Sequence, residues 1–168
     1  RLRIQYGSSF LFPFHTFSNR ITGSPNSLNN RTSSVKLRFL VAMCGTMGVE
    51  LDLAHSSDEF LSVLRYYVAL RKRFTVLIQT GRFFRLRSPF TSDSCAWMVV
   101  SRNSSTALVF VFNSHYELAR REPRLRLNGL NHSLLYRVTE LCPGNLRWDI
   151  KTGSLEPDRS KPVFHNLY

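Results

Sequence analysis

Glu50 and Asp52 place two carboxylates close together in the sequence, which makes them the first candidates for chemistry. They lie in an apolar segment, residues 47–53, that we predict to be a β-strand, and alternate residues of a strand point to one face. Paired carboxylates can carry out glycoside hydrolysis, but there the two groups flank the bond that is cleaved. Two side chains on one strand occupy the same wall of a site. We therefore interpret Glu50 and Asp52 as a hydrogen-bonded structural pair and not as a catalytic pair.

The other residue types that could bind a metal or attack a substrate are dispersed along the chain. The histidines are His15, His55, His115, His132 and His165, and the cysteines are Cys44, Cys95 and Cys142. The histidines have no metal-ligand spacing, and three scattered cysteines suit neither a zinc site nor a disulfide framework. The sequence also lacks a glycine-rich phosphate loop and a Gly-x-Ser-x-Gly motif. We predict no metal, no cofactor and buried free thiols.

The net charge of +12 and the isoelectric point near 10.5 raise the question of a nucleic-acid partner. The basic residues are spread along the chain and cluster only at residues 71–73 and 120–126. The first cluster falls on a predicted helix with a strong apolar face, so we assign it to the solvated side of that helix. We predict no nucleic-acid partner, and a basic nucleic-acid module is the third of three functional hypotheses.

No apolar run is long enough to span a membrane, and we predict no membrane association.

The first half of the chain, residues 1–82, is predicted to alternate helices and strands, as parallel α/β structures do. In chain order we predict a helix over residues 1–6 that Gly7 ends, a buried parallel strand over residues 8–12, a polar loop over residues 15–32, a helix from Ser33 or Ser34 to Gly45, the strand over residues 47–53, and one continuous helix over residues 57–80 that Gly81 ends. Ser56 and Glu59 form the predicted capping box of the last helix. The chain opens inside a helix without an initiator Met, so we expect it to be part of a longer protein.

From residue 83 onward the pattern changes to short strands and turns. Strands are predicted over residues 96–100, 107–112, 124–127 and 135–141, and residues 101–105 have the composition of a hairpin turn. Short strands without helical periodicity favour an antiparallel β-sandwich. Its predicted core consists of Trp97, Val99, Leu108, Phe110, Leu127, Tyr136 and Val138.

Several segments match, in one order along nearly the whole chain, the sequence pattern of a known enzyme family. They are Gly48-Val49-Glu50-Leu51-Asp52-Leu53 and residues 1–7, 25–26, 31, 41–43, 45, 88–90, 96–101, 107–110 and 136–141. On these residues the chain resembles the C-terminal portion of the retaining α-galactosidases of glycoside hydrolase family 36. The resemblance implies the closing βα units of a TIM (β/α)8 barrel over residues 1–82, followed by a C-terminal antiparallel β-sandwich over residues 83–168.

The resemblance also implies an activity for the longer protein. Enzymes of this family hydrolyse terminal α-D-galactosyl residues of oligosaccharides such as raffinose and melibiose, by a double displacement with retention. The family's acid/base aspartate lies just ahead of the stretch that residues 1–7 match, and its nucleophile lies further upstream. Both therefore fall before Arg1. We assign no catalytic residue to this chain and predict that the chain alone is inactive.

Asn26 and Arg31 are the site residues that the resemblance does assign. The family's Pro-Asn-His-Gln-Thr-Gly-Arg loop, on the active-site side of the barrel, here keeps Pro25, Asn26 and Arg31 and departs at the four residues between. We predict that Asn26 and Arg31 lie on the rim of the substrate site.

The main alternative to an α-galactosidase fragment is a non-catalytic carbohydrate- or partner-binding β-sandwich module. The compartment, the exact galactoside and the oligomeric state, including a homo-oligomer, stay open.

Overall fold

The computed structural model describes residues 1–27, 29–113, 124–141, 146–149 and 154–157, the last two ranges by their backbone. The helices are α1 (Leu2–Ser8), α2 (Val35–Met43), α3 (Asp58–Arg73) and α4 (Thr75–Thr80), with a short 3₁₀ helix at Phe14–Thr16. The strands are β1 (Ser18–Ile21), β2 (Thr46–Val49), β3 (Arg82–Arg87), β4 (Ser94–Val100), β5 (Ala107–Asn113), β6 (Leu146–Asp149) and β7 (Ser154–Pro157). A mixed α/β part with the parallel pair β1–β2 is followed by the antiparallel sheet β3–β4–β5 and the antiparallel pair β6–β7. None of the helices in the described ranges combines the length and the apolar composition that crossing a bilayer requires.

Strands β1 and β2 form a βαβ unit through the connecting helix α2. They pair in parallel, with Ser18 opposite Thr46. Alternate residues of β1 are buried, because Asn19 and Ile21 point toward the helices. Ile21 is fully buried in the same apolar cluster as Phe39 of α2. The opposite face of the strand pair does not pack on the helices, and it belongs to the candidate site described below.

Helices α2 and α3 each begin at a serine that caps the first turn. The hydroxyls of Ser34 and Ser57 each accept a hydrogen bond, at 3.2 Å, from the amide three residues further on. The prediction that Ser33 or Ser34 caps α2 is confirmed, and Ser34 is the residue. The prediction of Ser56 for α3 is wrong by one position, because the Ser56 hydroxyl donates to the carbonyl of Asp52 instead.

The helix predicted as continuous over residues 57–80 is two helices. Phe74, with φ −101° and ψ 10°, separates α3 from α4, and Gly81 ends α4 as predicted. The Thr75 hydroxyl donates to the carbonyl of Arg71 at 3.0 Å, and the Arg71 guanidinium donates to the carbonyl of Gly45 at 2.8 Å. A threonine hydroxyl that bonds a carbonyl four residues back bends a helix, which apolar periodicity does not reveal.

Strand β4 is the central strand of its sheet and is buried along its whole length. It pairs with β5 as the sequence predicted, with Trp97 opposite Phe110. Strand β3 was not predicted, because the arginines Arg82, Arg85 and Arg87 make this edge strand look like a surface segment. Charged residues and a register shift between Arg85 and Arg87 are typical of an edge strand.

An aromatic cluster joins the α/β part to the sheet. Phe14, only 5% exposed, stacks on Phe83 of β3 with ring centroids 4.2 Å apart and meets Trp97 of β4 edge-on at 5.5 Å. Trp97 in turn contacts Phe112 of β5 at 5.1 Å. The buried residues of both parts therefore form one core.

The segment predicted as a buried strand, residues 8–12, is not a strand, because Ser8 ends α1 and residues 9–12 form a turn. Helix α1 continues through Gly7. Phe10, Leu11 and Phe12 are then 64%, 79% and 59% exposed. The first strand, β1, lies instead in the stretch predicted as a polar loop. A short apolar run without alternation does not identify a strand. Strand β1 was not predicted, because one of its two faces is polar.

Residues 124–127 and 135–141, predicted as strands, have no regular structure. Leu127 and Val138 are 39% and 64% exposed, so they do not belong to the core. Tyr136, the third residue of the predicted core in these segments, is half-buried, and its hydroxyl donates a hydrogen bond to the Ser104 carbonyl at 2.5 Å. The four predicted core residues on β4 and β5 are buried, as expected.

Candidate functional site

The carboxyl ends of β1 and β2 lie side by side, because the two strands are parallel. The amide of Glu50, just after β2, donates to the carbonyl of Ile21 at the end of β1 over 2.9 Å. The segments that follow, residues 22–34 and 50–57, therefore leave the strands at one edge. In parallel α/β structures this edge is where ligands bind.

The loop after β1 folds back on itself and brings Asn26 and Arg31 together. The Asn26 amide donates to the Arg31 carbonyl at 3.0 Å, and the Asn30 amide donates to the Asn26 carbonyl at 2.8 Å. Asn30 has a left-handed backbone at φ 53°, which asparagine adopts more readily than most residues. The Arg31 amide donates to the Asn29 side chain at 3.1 Å. Asn26 is half-buried and Arg31 is exposed, so the loop presents the Arg31 side chain to solvent.

Glu50 and Asp52 do not form the pair that the sequence predicted. Strand β2 ends at Val49, so the two carboxylates lie in the segment after the strand. Glu50 Oε1 is 3.4 Å from Nη1 of Arg20, and Asp52 Oδ2 is 2.7 Å from Nδ1 of His55. The hydrogen-bonded Glu50–Asp52 pair is therefore wrong, since each carboxylate has its own basic partner. The hydrogen bond from His55 lowers the pKa of Asp52 below its ordinary value of 3.8.

The face of the β1–β2 pair that points away from the helices carries only polar residues and glycine, and we call it the polar face. Because the two buried residues of β1 face the helices, Ser18 and Arg20 face the other way, and the register places Thr46 and Gly48 beside them. A Cβ atom on Gly48 would lie 3.6 Å from Cγ of Arg20, so the arginine side chain runs next to this glycine. Glu50 closes the row through its ion pair. Sequence reasoning missed Arg20, because its segment was predicted as a loop.

A recess of about 220 Å³ opens beside Arg20 at the outer edge of β1. Its lining residues are Arg1, Ile4, Gln5, Ser18, Asn19 and Arg20. The Gln5 side-chain amide donates to Oδ1 of Asn19 at 2.7 Å and so ties α1 to β1. Among the described residues, Gln5 Oε1 and Asn19 Nδ2 are buried without a hydrogen-bond partner.

The thiols in the described part of the chain are not poised for chemistry. Cys44 and Cys95 are buried and free, as predicted. Burial raises the pKa of the Cys44 thiol well above its ordinary value and raises the pKa of Cys95 to about 12. Both stay protonated near neutral pH and are poor nucleophiles. The residues that the structure describes contain no group of three or more potential metal ligands, and Cys142, His115 and His165 lie outside them.

Two family models match the chain, one after the other. Residues 1–81 match the model described as Melibiase, and residues 94–161 match the glycosyl hydrolase family 36 C-terminal domain. The first match contains the β1–α2–β2 unit with the loop of Asn26 and Arg31, and the second begins at β4.

Individual relatives and solved structures agree with these matches. Alpha-galactosidase 1 of Pediococcus pentosaceus is 38% identical over 137 residues, which are 82% of this chain and 19% of the relative. A crystal structure of the α-galactosidase AgaA of Geobacillus stearothermophilus, in complex with stachyose, is similar with a TM-score of 0.75 at 38% identity, over 79% of this chain and 18% of that chain. The galactosidase domain of AgaSK, an α-galactosidase–sucrose kinase of Mediterraneibacter gnavus, has a TM-score of 0.74 at 30% identity, over 99% of this chain and 23% of that chain.

The chain belongs to glycoside hydrolase family 36, the family of these α-galactosidases. It spans about a fifth of the length of the curated relatives that it matches.

Proposed function

We propose that this chain is the C-terminal part of a retaining α-galactosidase, which hydrolyses terminal α-D-galactosyl residues of oligosaccharides such as raffinose and melibiose. The observation that carries the proposal is the ordered match of the chain to both family models. The stachyose complex of a relative supports α-galactosyl oligosaccharides as the substrate class. In this proposal both catalytic aspartates precede Arg1, and the present chain contributes part of the substrate site without the reacting carboxylates.

The proposed domain division places the end of a TIM barrel in residues 1–82 and a C-terminal β-sandwich domain in residues 83–168. The β1–α2–β2 unit followed by α3 has the order that the end of such a barrel requires. The sheet β3–β4–β5 supplies one antiparallel layer of the second domain. Two parallel strands cannot close a barrel by themselves, so the preceding part of the protein would cover their outer edges.

Asn26 and Arg31 are proposed to form part of the rim of the substrate site. Their loop leaves β1 at the carboxyl edge of the strand pair, where barrel enzymes bind substrate. Arg31 carries a side chain that cannot lose its proton at neutral pH, so its role would be positioning and not proton transfer. In the full-length protein, Arg31→Ala should lower kcat/KM for raffinose without moving the pH optimum. The matched control is Arg65→Ala, which removes an exposed arginine on α3.

Hydrolysis of an aryl α-galactoside tests the proposed function. We expect turnover by the full-length protein with the α-anomer of galactose as the first product, and no turnover by the 168-residue chain. Proton NMR of the released sugar identifies the anomer, and a β-anomer would contradict the retaining mechanism. Binding of galactosides by the full-length protein without turnover would favour the non-catalytic binding module. The dependence of Trp97 on Phe14 for its packing counts against a sheet that acts alone.

A further inference from the structure

We propose that Glu50 contacts the substrate, by accepting a hydrogen bond from a hydroxyl of the galactosyl group, and that Arg20 positions the Glu50 carboxylate for this contact. The proposal rests on the proposed function, because it assigns these residues to the sugar pocket of that same enzyme. Neither residue belongs to the loop of Asn26 and Arg31. Glu50 is proposed to bind the sugar and is not one of the two catalytic aspartates.

The polar face of the β1–β2 pair is the first step of the argument. In a closed barrel this face points into the barrel, since the opposite face packs on the helices. Barrel interiors are filled by layers of bulky branched side chains. Here the inward positions carry Ser18, Arg20, Thr46 and Gly48, which cannot build such layers. This wall therefore borders a polar, hydrated space, as expected of a sugar pocket.

The Arg20–Glu50 ion pair is the second step. Its 3.4 Å contact uses Oε1 of Glu50, and both side chains are 58% exposed toward the open side of the strand pair. Within the described part of the chain, Oε2 of Glu50 has no hydrogen-bond partner. A carboxylate oxygen accepts hydrogen bonds from hydroxyl groups, which galactose offers in number. Glu50 also lies at the carboxyl end of β2, on the edge where the ligand enters.

The contrast between Glu50 and Asp52 is the third step. Both oxygens of Asp52 are engaged within its own turn, one by the Ala54 amide at 3.0 Å and the other by His55 at 2.7 Å. Asp52 thus holds the chain in place, whereas Glu50 keeps an acceptor for a ligand. Of the two carboxylates that the sequence brings together, Glu50 is the one whose surroundings suit recognition.

The test measures D-galactose binding by calorimetry and aryl α-galactoside hydrolysis, both on the full-length protein. Glu50→Gln keeps the shape of the side chain and removes the charged acceptor, so we expect galactose affinity to fall about tenfold or more and KM to rise. Arg20→Met should act in the same direction with a smaller effect, and Arg20→Lys should restore part of the loss. The control is Glu140→Gln, which removes a carboxylate that lies 3.9 Å from Lys36 on the helical side.

The outcomes separate this proposal from the proposed function. Unchanged galactose affinity in a folded Glu50→Gln variant would overturn the role of Glu50. If the wild-type protein binds galactose without hydrolysing the aryl substrate, the proposed function fails, and weaker binding by Glu50→Gln still supports this inference. A wild-type protein that neither binds nor hydrolyses would overturn both. Equal losses in Glu50→Gln and Glu140→Gln would also count against it, because such losses report general damage.

Discussion

Asp52 uses its side-chain and backbone oxygens for hydrogen bonds within the turn formed by residues 52–56. Its two oxygens accept from the Ala54 amide and from His55, and its carbonyl accepts from the Ser56 hydroxyl at 2.8 Å. The three contacts fix the path of the chain between β2 and α3. The hydrogen bond from the His55 side chain is the largest cause that lowers the pKa of the carboxyl group, and the Ala54 and His55 amides lower it further.

The titration of Asp52 gives a prediction at this scale. A folded pKa below 3.8 means that the contact stabilises the fold above pH 3.8, and that this contribution is lost as pH falls through the lowered pKa. His55→Ala should therefore raise the Asp52 pKa toward 3.8, as NMR of the side-chain carboxyl would show. His15→Ala, at the opposite end of the strand pair, should leave the Asp52 titration where it is. A shift of the Asp52 pKa by the same amount in both variants would contradict the conclusion that the His55 hydrogen bond lowers it.

The family pattern predicts that the loop of Asn26 and Arg31 borders the substrate site, but it does not show how the loop closes. The family pattern has glycine where this chain has Asn30, and Asn30 adopts the left-handed backbone that glycine favours. Asparagine tolerates this backbone better than most residues, so Asn30 suits the conformation that the loop adopts here. The partner of Glu50, in contrast, could not be predicted. Arg20 is thirty positions away in sequence, and only the parallel register brings the two together.

Helix α3 shows how a one-residue difference in capping can be tested. Ser57 caps the first turn through its hydroxyl, whereas Ser56 bonds to the preceding turn. Ser57→Ala should lower the free energy of unfolding by about 1 kcal/mol, the usual cost of losing a serine cap. Thermal unfolding followed by circular dichroism measures this loss. Ser56→Ala should cost less, and the reverse order would restore the capping box predicted from the sequence.

The elements with strong local signals were predictable. Helix α2 has a serine cap and a following glycine, and β4 and β5 are apolar runs joined by a polar turn. Elements that depend on distant partners were not. Strand β1 is polar on one face, and β3 is an edge strand rich in arginine, so neither has the composition of a buried strand. Residues 135–141 alternate like a strand, yet Tyr136 is held by a contact from its hydroxyl to the Ser104 carbonyl. Tertiary contacts decide such segments.

At the scale of the whole molecule, Phe14 of the short 3₁₀ helix packs between the α/β part and the sheet. It is 5% exposed and touches Phe17, Phe83 and Trp97. Removing its ring would leave a cavity between the α/β part and the sheet. We expect Phe14→Ala to lower the free energy of unfolding by about 3–5 kcal/mol. Hydrogen exchange should show lost protection in β2 and in β4 alike.

Phe12→Ala is the matched control, because Phe12 lies two residues away and is 59% exposed. Its effect on unfolding should stay within about 0.5 kcal/mol. Loss of protection in only one part after Phe14→Ala would mean that the two parts fold as separate units.

The contacts of Phe14 also have a consequence for recombination between related genes. The first family model ends at residue 81 and the second begins at residue 94. A crossover within that interval would combine Phe14 from one parent gene with Trp97 from another, although the two rings are in contact. Such offspring keep a well-packed junction only when both ancestors carry matching aromatic rings. We therefore expect natural chimaeras within the family to have their junctions outside this interval, and the α/β part and the following sheet to be inherited together.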